Sequence, residues 1–131
     1  TTDTSINNTT NTYITFENVK SFGTAFYLSA DKTRIYWDHV NGKAFHLNGY
    51  VNWTGHATGY RGAWIEGFDI ADVSLGSSPL HTFPGSVLVD NVQPINFSWY
   101  FNNFAYVKFY VHQSSGAGLV LKDFLIGLSL V

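Results

Sequence analysis

Rings and neutral hydrogen-bonding groups, far more than charges, make up the residues of this chain that could do chemistry. Four Trp, eight Tyr and five His accompany only seven Lys and Arg and nine Asp and Glu. Flat aromatic faces stack on the C–H surface of a sugar, and planar amides, His or Arg bond its hydroxyls, so this mixture points to carbohydrate recognition or a wet protein interface. Three groups of residues qualify as ligand-binding candidates. Trp37, His39 and His46 lie in RIYWDHV-NG-KAFHLNGYVNW, Tyr60, Arg61 and Trp64 surround a Gly-rich run, and Trp99, Tyr110 and His112 come later. For any one ring, packing in a core or a subunit interface is the plainer explanation. Four Trp with polar neighbours are nevertheless expected to place at least one ring at a ligand site.

Other chemistries find less support. Glycoside hydrolysis needs two carboxylates at a set separation, and the acids that cluster, Glu66, Asp69 and Asp72 in IEGFDIADV, read as solvating a strand edge and a turn. The G-x-S-x-G elbow is missing, and Asp38 and His39, as neighbours in a strand, point to opposite faces. No enzymatic activity is expected. His39 and His46 share a hairpin face without an opposed carboxylate, no H-E-x-x-H spacing occurs, and no loop gathers three oxygen ligands, so neither a metal nor a cofactor is expected. Cysteine is absent, which removes thiolate chemistry and disulfides. Asn-x-Ser/Thr sequons at Asn8, Asn52 and Asn96 would be glycosylated only in a secretory pathway, which nothing in the sequence indicates.

Composition narrows the partners. A formal net charge of −2 leaves no excess of Lys and Arg to neutralise phosphates, so nucleic acid is not an expected partner. The longest apolar run, from Phe124 to Val131, is short and broken by Gly127 and Ser129, so no membrane span is expected. With no signal peptide and no starting Met, the chain reads as an excised fragment or a processed product. Aromatic residues make up 18% and charged residues 12%, the latter about half the usual share. A monomer of this kind would expose aromatic surface to water, so an obligate oligomer is expected.

The elements that must hold these residues are strands. Asn41-Gly42 suits a type I′ turn between two β-prone runs, which pairs Trp37 with His46, Tyr36 with Leu47 and Ile35 with Asn48. Tyr36, Val40, Phe45, Leu47, Val51 and Trp53 then face the core, while Ile35, Trp37, His39, His46, Asn48, Tyr50 and Asn52 face out. Ahead of this hairpin, residues 1–12 form a Thr/Asn tract that reads as a linker or stalk remnant, and residues 13–131 form one domain. TGHATGYRG, after Trp53, should be a loop carrying His56, Tyr60 and Arg61 to the surface. AWIEGFDIADVSL resumes as strand with a bulge or close backbone approach at Gly67. GSSPLHTFPG reads as a connection, Pro94 as a strand break, Asn102-Asn103 as a kink or turn, and SSGAG as a hairpin turn. In the strand before SSGAG, Ala105, Val107, Phe109 and Val111 oppose Phe104, Tyr106, Lys108, Tyr110 and His112. The last two runs, LVLKDF and LIGLSLV, form a strand pair or one bulged strand. No window has a sustained 3.6-residue period, so the fold class is all-β, with about eight to ten strands in a small antiparallel barrel or sandwich.

From Arg34 to Val131 the order "HVNGKAFHLNGYVNW", Gly-rich loop, "PLHTFPG" and "SVLVDN…FAYVKFYVHQSSGAGLVL…LIGLSLV" resembles the C-terminal head domain of phage receptor-binding proteins, those of lactococcal siphophage baseplates above all. The likeness covers about three quarters of the chain and is one of strand and turn order, without a shared motif. It implies a β-barrel head assembled as a homotrimer on a stalk, located on the virion at the tail tip or baseplate. Such a head binds cell-wall saccharide or glycerol-phosphate groups between subunits, and other baseplate or tail proteins attach through the upstream region. Where such heads carry a His and an Asp on the strand before the last turn, this chain has Tyr110 and His112, and Leu or Lys stands where they carry a Trp. The resemblance therefore implies a shifted site or a different saccharide.

Four readings follow. The first is a non-enzymatic host-adhesion head; the second is a free-standing lectin or carbohydrate-binding module with one continuous aromatic platform. The third is an enzyme acting on the same glycans, and the fourth is a structural cap on a fibre.

Overall fold

In a computed structural model of the chain, residues 4–7, 11–16, 26–37, 44–78, 80–100 and 104–130 are described. They contain nine strands and no helix: β1 (Thr4–Ile6), β2 (Thr12–Tyr13), β3 (Phe26–Leu28), β4 (Ile35–Trp37), β5 (Ala44–Phe68), β6 (Ser74–Ser77), β7 (His81–Tyr100), β8 (Tyr106–Gln113) and β9 (Leu119–Leu130). All pairings are antiparallel and build two sandwich-like sheets. Of the two all-β architectures expected, barrel or sandwich, a sandwich-like one is what forms.

β5 belongs to both sheets. Its first half lies between β7 and β9, with Phe45 opposite Trp99 on one side and Leu130 on the other. Its second half lies between β8 on one edge and β6 and the start of β7 on the other. The register slips between Thr54 and Tyr60 mark the passage from one sheet to the other, the device by which a strand turns a sandwich corner. β1 extends the first sheet beyond β9. In the second sheet β2 and β4 both pair with the far edge of β8, and β3 pairs with β4.

Alternation decides the core. Phe45, Leu47, Val51 and Trp53 from the first half of β5 meet Ala63 and Ile65 from the second, together with Val107, Phe109 and Val111 of β8, in one buried cluster. These faces match the sequence reading. Trp53 is the largest side chain in the cluster, and its indole Nε1 donates to the Gln93 Oε1 at 3.2 Å, which satisfies a polar atom that burial would otherwise strand. At Gly67 a Cβ would lie 2.5 Å from the Phe104 ring, so the expected close approach is made by an aromatic side chain.

Several expectations are corrected. Strand β4 pairs with β3, Tyr36 opposite Tyr27 and Trp37 opposite Phe26, and with β8 through Ile35 and Val107. It does not pair with residues 46–48, because β7 and β9 occupy both edges of that segment. Consequently Ile35, expected to face out, is buried in the core, and Tyr36 is only half-buried. The Asn41-Gly42 turn, His39, Val40 and the Asn102-Asn103 kink lie outside the described residues.

Residues 54–62 run on as part of β5 instead of forming a loop. Strand β7 begins inside the expected connection and passes through Pro94 unbroken. Proline is tolerated there because β7 pairs only with β5 among the described residues, leaving its other edge free of a ladder. SSGAG does not close a hairpin, since β8 and β9 flank different halves of β5. It crosses between sheets, held by Gln113, whose Nε2 donates to the Ala117 and Ile6 carbonyls while its Oε1 accepts from Ser115 N–H. The closing run is one strand, with an irregularity opposite Asn52 and Trp53. Within the Thr/Asn tract, Thr4–Ile6 pair with β9 and Ile6 lies in the core.

Candidate functional site

On the second sheet, the side of β5 and β8 that faces away from the core is paved with rings. Cross-strand partners share a face and stand within reach of each other, and the register sets Gly62 beside His112, Trp64 beside Tyr110, Glu66 beside Lys108 and Phe68 beside Tyr106. Trp64 and Tyr110 stack at 5.4 Å and 13°, Tyr60 and His112 at 5.7 Å and 22°, and Phe68 and Tyr106 at 5.3 Å and 12°. Tyr13 of β2 meets Tyr110 edge-on at 6.1 Å, and Tyr36 and Tyr27 carry the paving outward, stacked at 5.3 Å.

A cleft of about 280 Å³ opens at the Tyr60 end of this face. Tyr60, Trp64 and His112 form its aromatic sides, while Asn11, Ser77, Ser78 and Leu80 complete the lining. The His112 Nδ1 donates to the Asn11 Oδ1 at 2.9 Å. Ser78 is structural, its hydroxyl accepting from Ile65 N–H. The backbone N–H of Tyr60 donates to the Ser114 Oγ at 3.0 Å, which ties the mouth of the cleft to the crossover after β8.

Cations near this face are already engaged. The Lys108 Nζ sits 4.3 Å above the Tyr13 ring, and the Arg34 guanidinium lies 4.5 Å from the Tyr106 centroid and 3.2 Å from the Asp72 carboxylate. Tyr106 also donates to Asp72, and burial followed by that bond pushes its phenol well above its ordinary value of 10.0. Burial, then the negative charge of Glu66, raises the Tyr110 phenol as well. Asp69 accepts from the amides of Ala71 and Val73. Thus the acids of IEGFDIADV are distributed between turn geometry, the Arg34 pair and the Glu66–Lys108 rung.

Of the nine candidates, Tyr60, Trp64, Tyr110 and His112 come together here. Arg61, expected at the surface, is 0% exposed. It follows the parity of Ala63 and Ile65 and so points inward, where it donates to the carbonyls of His56 at 2.7 Å, Thr58 at 3.2 Å and Tyr60 at 3.3 Å. Burial lowers its pKa from the ordinary value. It is a strut beneath the cleft. His46 and Trp99 belong to the other sheet: His46 Nδ1 lies 3.0 Å from the Ser98 hydroxyl, and Trp99 packs against Phe45, Tyr100 and Phe104. Trp37 is placed by its backbone pairing alone. Asn11, Ser77, Leu80 and Gly62 were not legible beforehand. Asn11 reaches His112 across 101 positions of sequence, and a spacing argument has no means of finding such a contact. Among the described residues no group of three or more His, Asp or Glu could hold a metal ion.

No protein family profile matches the chain, and no curated protein does. Among solved structures, it is similar to the enzymatically active domain of bacteriophage CBA120 tailspike protein 4, with 18% identity, a TM-score of 0.48, and coverage of 98% of this chain and 19% of that one. It is also similar to a structure of infectious bursal disease virus Gx strain, with 12% identity, a TM-score of 0.38, and coverage of 98% and 32%. The chain thus spans about a fifth of the tailspike chain it resembles. At this distance the likenesses carry no argument about activity or ligand.

Proposed function

We propose that this chain is a non-enzymatic adhesion domain that holds a host-surface saccharide in the cleft between Tyr60, Trp64 and His112. The observation that carries the reading is the composition of that cleft: two stackable rings and an imidazole beside an amide and a serine hydroxyl, with no carboxylate among the described residues of the lining. Such a surface binds sugars by stacking and hydrogen bonding. Glycoside hydrolysis would require a pair of facing acids, and the described lining contributes none.

The setting that best accounts for the composition is the head of a phage receptor-binding protein on the virion, trimeric and joined to other tail or baseplate proteins through its upstream region. Sister chains would cover the apolar side chains that this chain leaves open, among them Ile70 at 93% exposure and Val73 at 55%. Each site would bind weakly, and several heads acting together would hold the host. The second reading is a free-standing lectin or carbohydrate-binding module.

Light scattering on the purified chain together with a glycan array separates these readings. A trimer that retains polysaccharide supports the adhesion head, and a monomer that does so supports the lectin. A chain that binds no polysaccharide, or one that releases reducing ends on prolonged incubation, refutes the proposal.

A further inference from the structure

The same cleft has a charge and a depth that specify its ligand more narrowly. We infer that it admits an uncharged sugar unit and rejects units bearing carboxylate or phosphate, with Gly62 setting its depth; this rests on the saccharide-binding reading above.

The charge argument comes from where the ions are. Among the described residues the lining holds no Asp, Glu, Lys or Arg. The ionised group next along this face is Glu66, paired in the sheet with the lining residue Ser77 on one side and with Lys108 on the other. Among the described residues the lining offers an anionic ligand neither a Lys nor an Arg as partner. Lys108 is held over Tyr13, and Arg61 lies on the other side of the sheet with its donors directed at three backbone carbonyls. Bringing a charge into such a site without a partner is unfavourable.

The depth argument comes from a missing side chain. Gly62 shares the outward parity of Tyr60 and Trp64 and stands directly opposite His112. A Cβ there would lie 2.8 Å from the Leu80 Cδ1 and 3.6 Å from the Tyr60 ring, so it would occupy the space between two walls of the cleft. The nearer contact is the tip of an exposed leucine, which can turn aside. Alanine at this position fits the fold once the Leu80 tip turns, and it narrows the space between Leu80 and Tyr60.

The test uses a matched pair of probes, galactose oligomers and galacturonate oligomers, with N-acetylglucosamine oligomers and poly(glycerol phosphate) as a second neutral and anionic pair, titrated calorimetrically into the full chain. The expected result is that within a pair the neutral probe binds at least about tenfold tighter. Gly62→Ala should lose about tenfold in affinity for that probe, the effect of one methyl group in a fitted pocket, while its thermal midpoint holds. Equal or tighter binding of the anionic partner overturns this inference and leaves the adhesion reading standing. Undiminished binding by a folded Gly62→Ala chain overturns the role of Gly62. If no probe of either kind binds, both this inference and the reading beneath it fail.

Discussion

Arg61 offers the sharpest check on the reasoning, because sequence placed it at the ligand and the fold places it underneath. Consider Arg61→Ala. The substitution removes three charge-assisted hydrogen bonds to the carbonyls of His56, Thr58 and Tyr60, each contributing about 1.5–3 kcal/mol before desolvation is counted. Against that stands the penalty of burying a guanidinium whose Nε has no hydrogen-bond partner among the described residues, a penalty the alanine variant escapes. The net loss should be about 3 kcal/mol. With an unfolding entropy near 2.1 cal/mol/K per residue, a chain of 131 residues would drop by about 11 °C in Tm.

Arg61→Lys should fall between wild type and alanine, since one ammonium cannot reach carbonyls spread over five residues as a planar fork does. Urea unfolding of the three chains measures the stability, and saccharide titration at low and high salt measures the site. Affinity should weaken in proportion to the loosening of Tyr60 and show no change in salt dependence. If Arg61→Ala keeps its stability within about 0.5 kcal/mol yet abolishes binding in a salt-sensitive way, Arg61 is a ligand cation and the strut argument is wrong.

Two further outcomes test the frame around the site. The Tyr106 phenol is held above its ordinary value of 10.0 by burial and by its bond to Asp72, so the unfolded chain ionises first as pH rises. Stability from this group is therefore full below pH 10 and is lost above it. Alkaline unfolding followed by circular dichroism should show that loss, and Tyr106→Phe should flatten it while lowering stability at neutral pH. Gly49 has φ +149° and no room for a Cβ, which would fall 1.8 Å from the Leu125 carbonyl oxygen. Gly49→Ala should cost at least about 3 kcal/mol by denaturant unfolding or prevent folding, and a stable alanine variant would contradict the packing of β9 on β5.

What the sequence determined by itself was local and periodic. Alternation of period two identified both faces of β8 from Tyr106 onward, and it put Phe45, Leu47, Val51 and Trp53 in the core. It set Phe104 on the outer face, whereas that ring, ahead of the strand, turns into the core. The absence of a helical period pointed away from helices, and the density of rings beside neutral polar groups put forward nine candidates, of which the fold brings Tyr60, Trp64, Tyr110 and His112 onto one face. Partner choice belonged to the tertiary structure. Asn41-Gly42 suggested that residues 35–37 pair with residues 46–48, but a local turn preference of this kind is overridden when β7 and β9 fill both edges of β5. The glycines of TGHATGYRG looked like a loop because their backbone freedom is visible in sequence, whereas the corner they allow β5 to turn is not. Arg61 is the same case in side-chain form. An arginine beside glycines looks exposed until the carbonyls of a bent strand converge on it, and only the completed fold brings those carbonyls together.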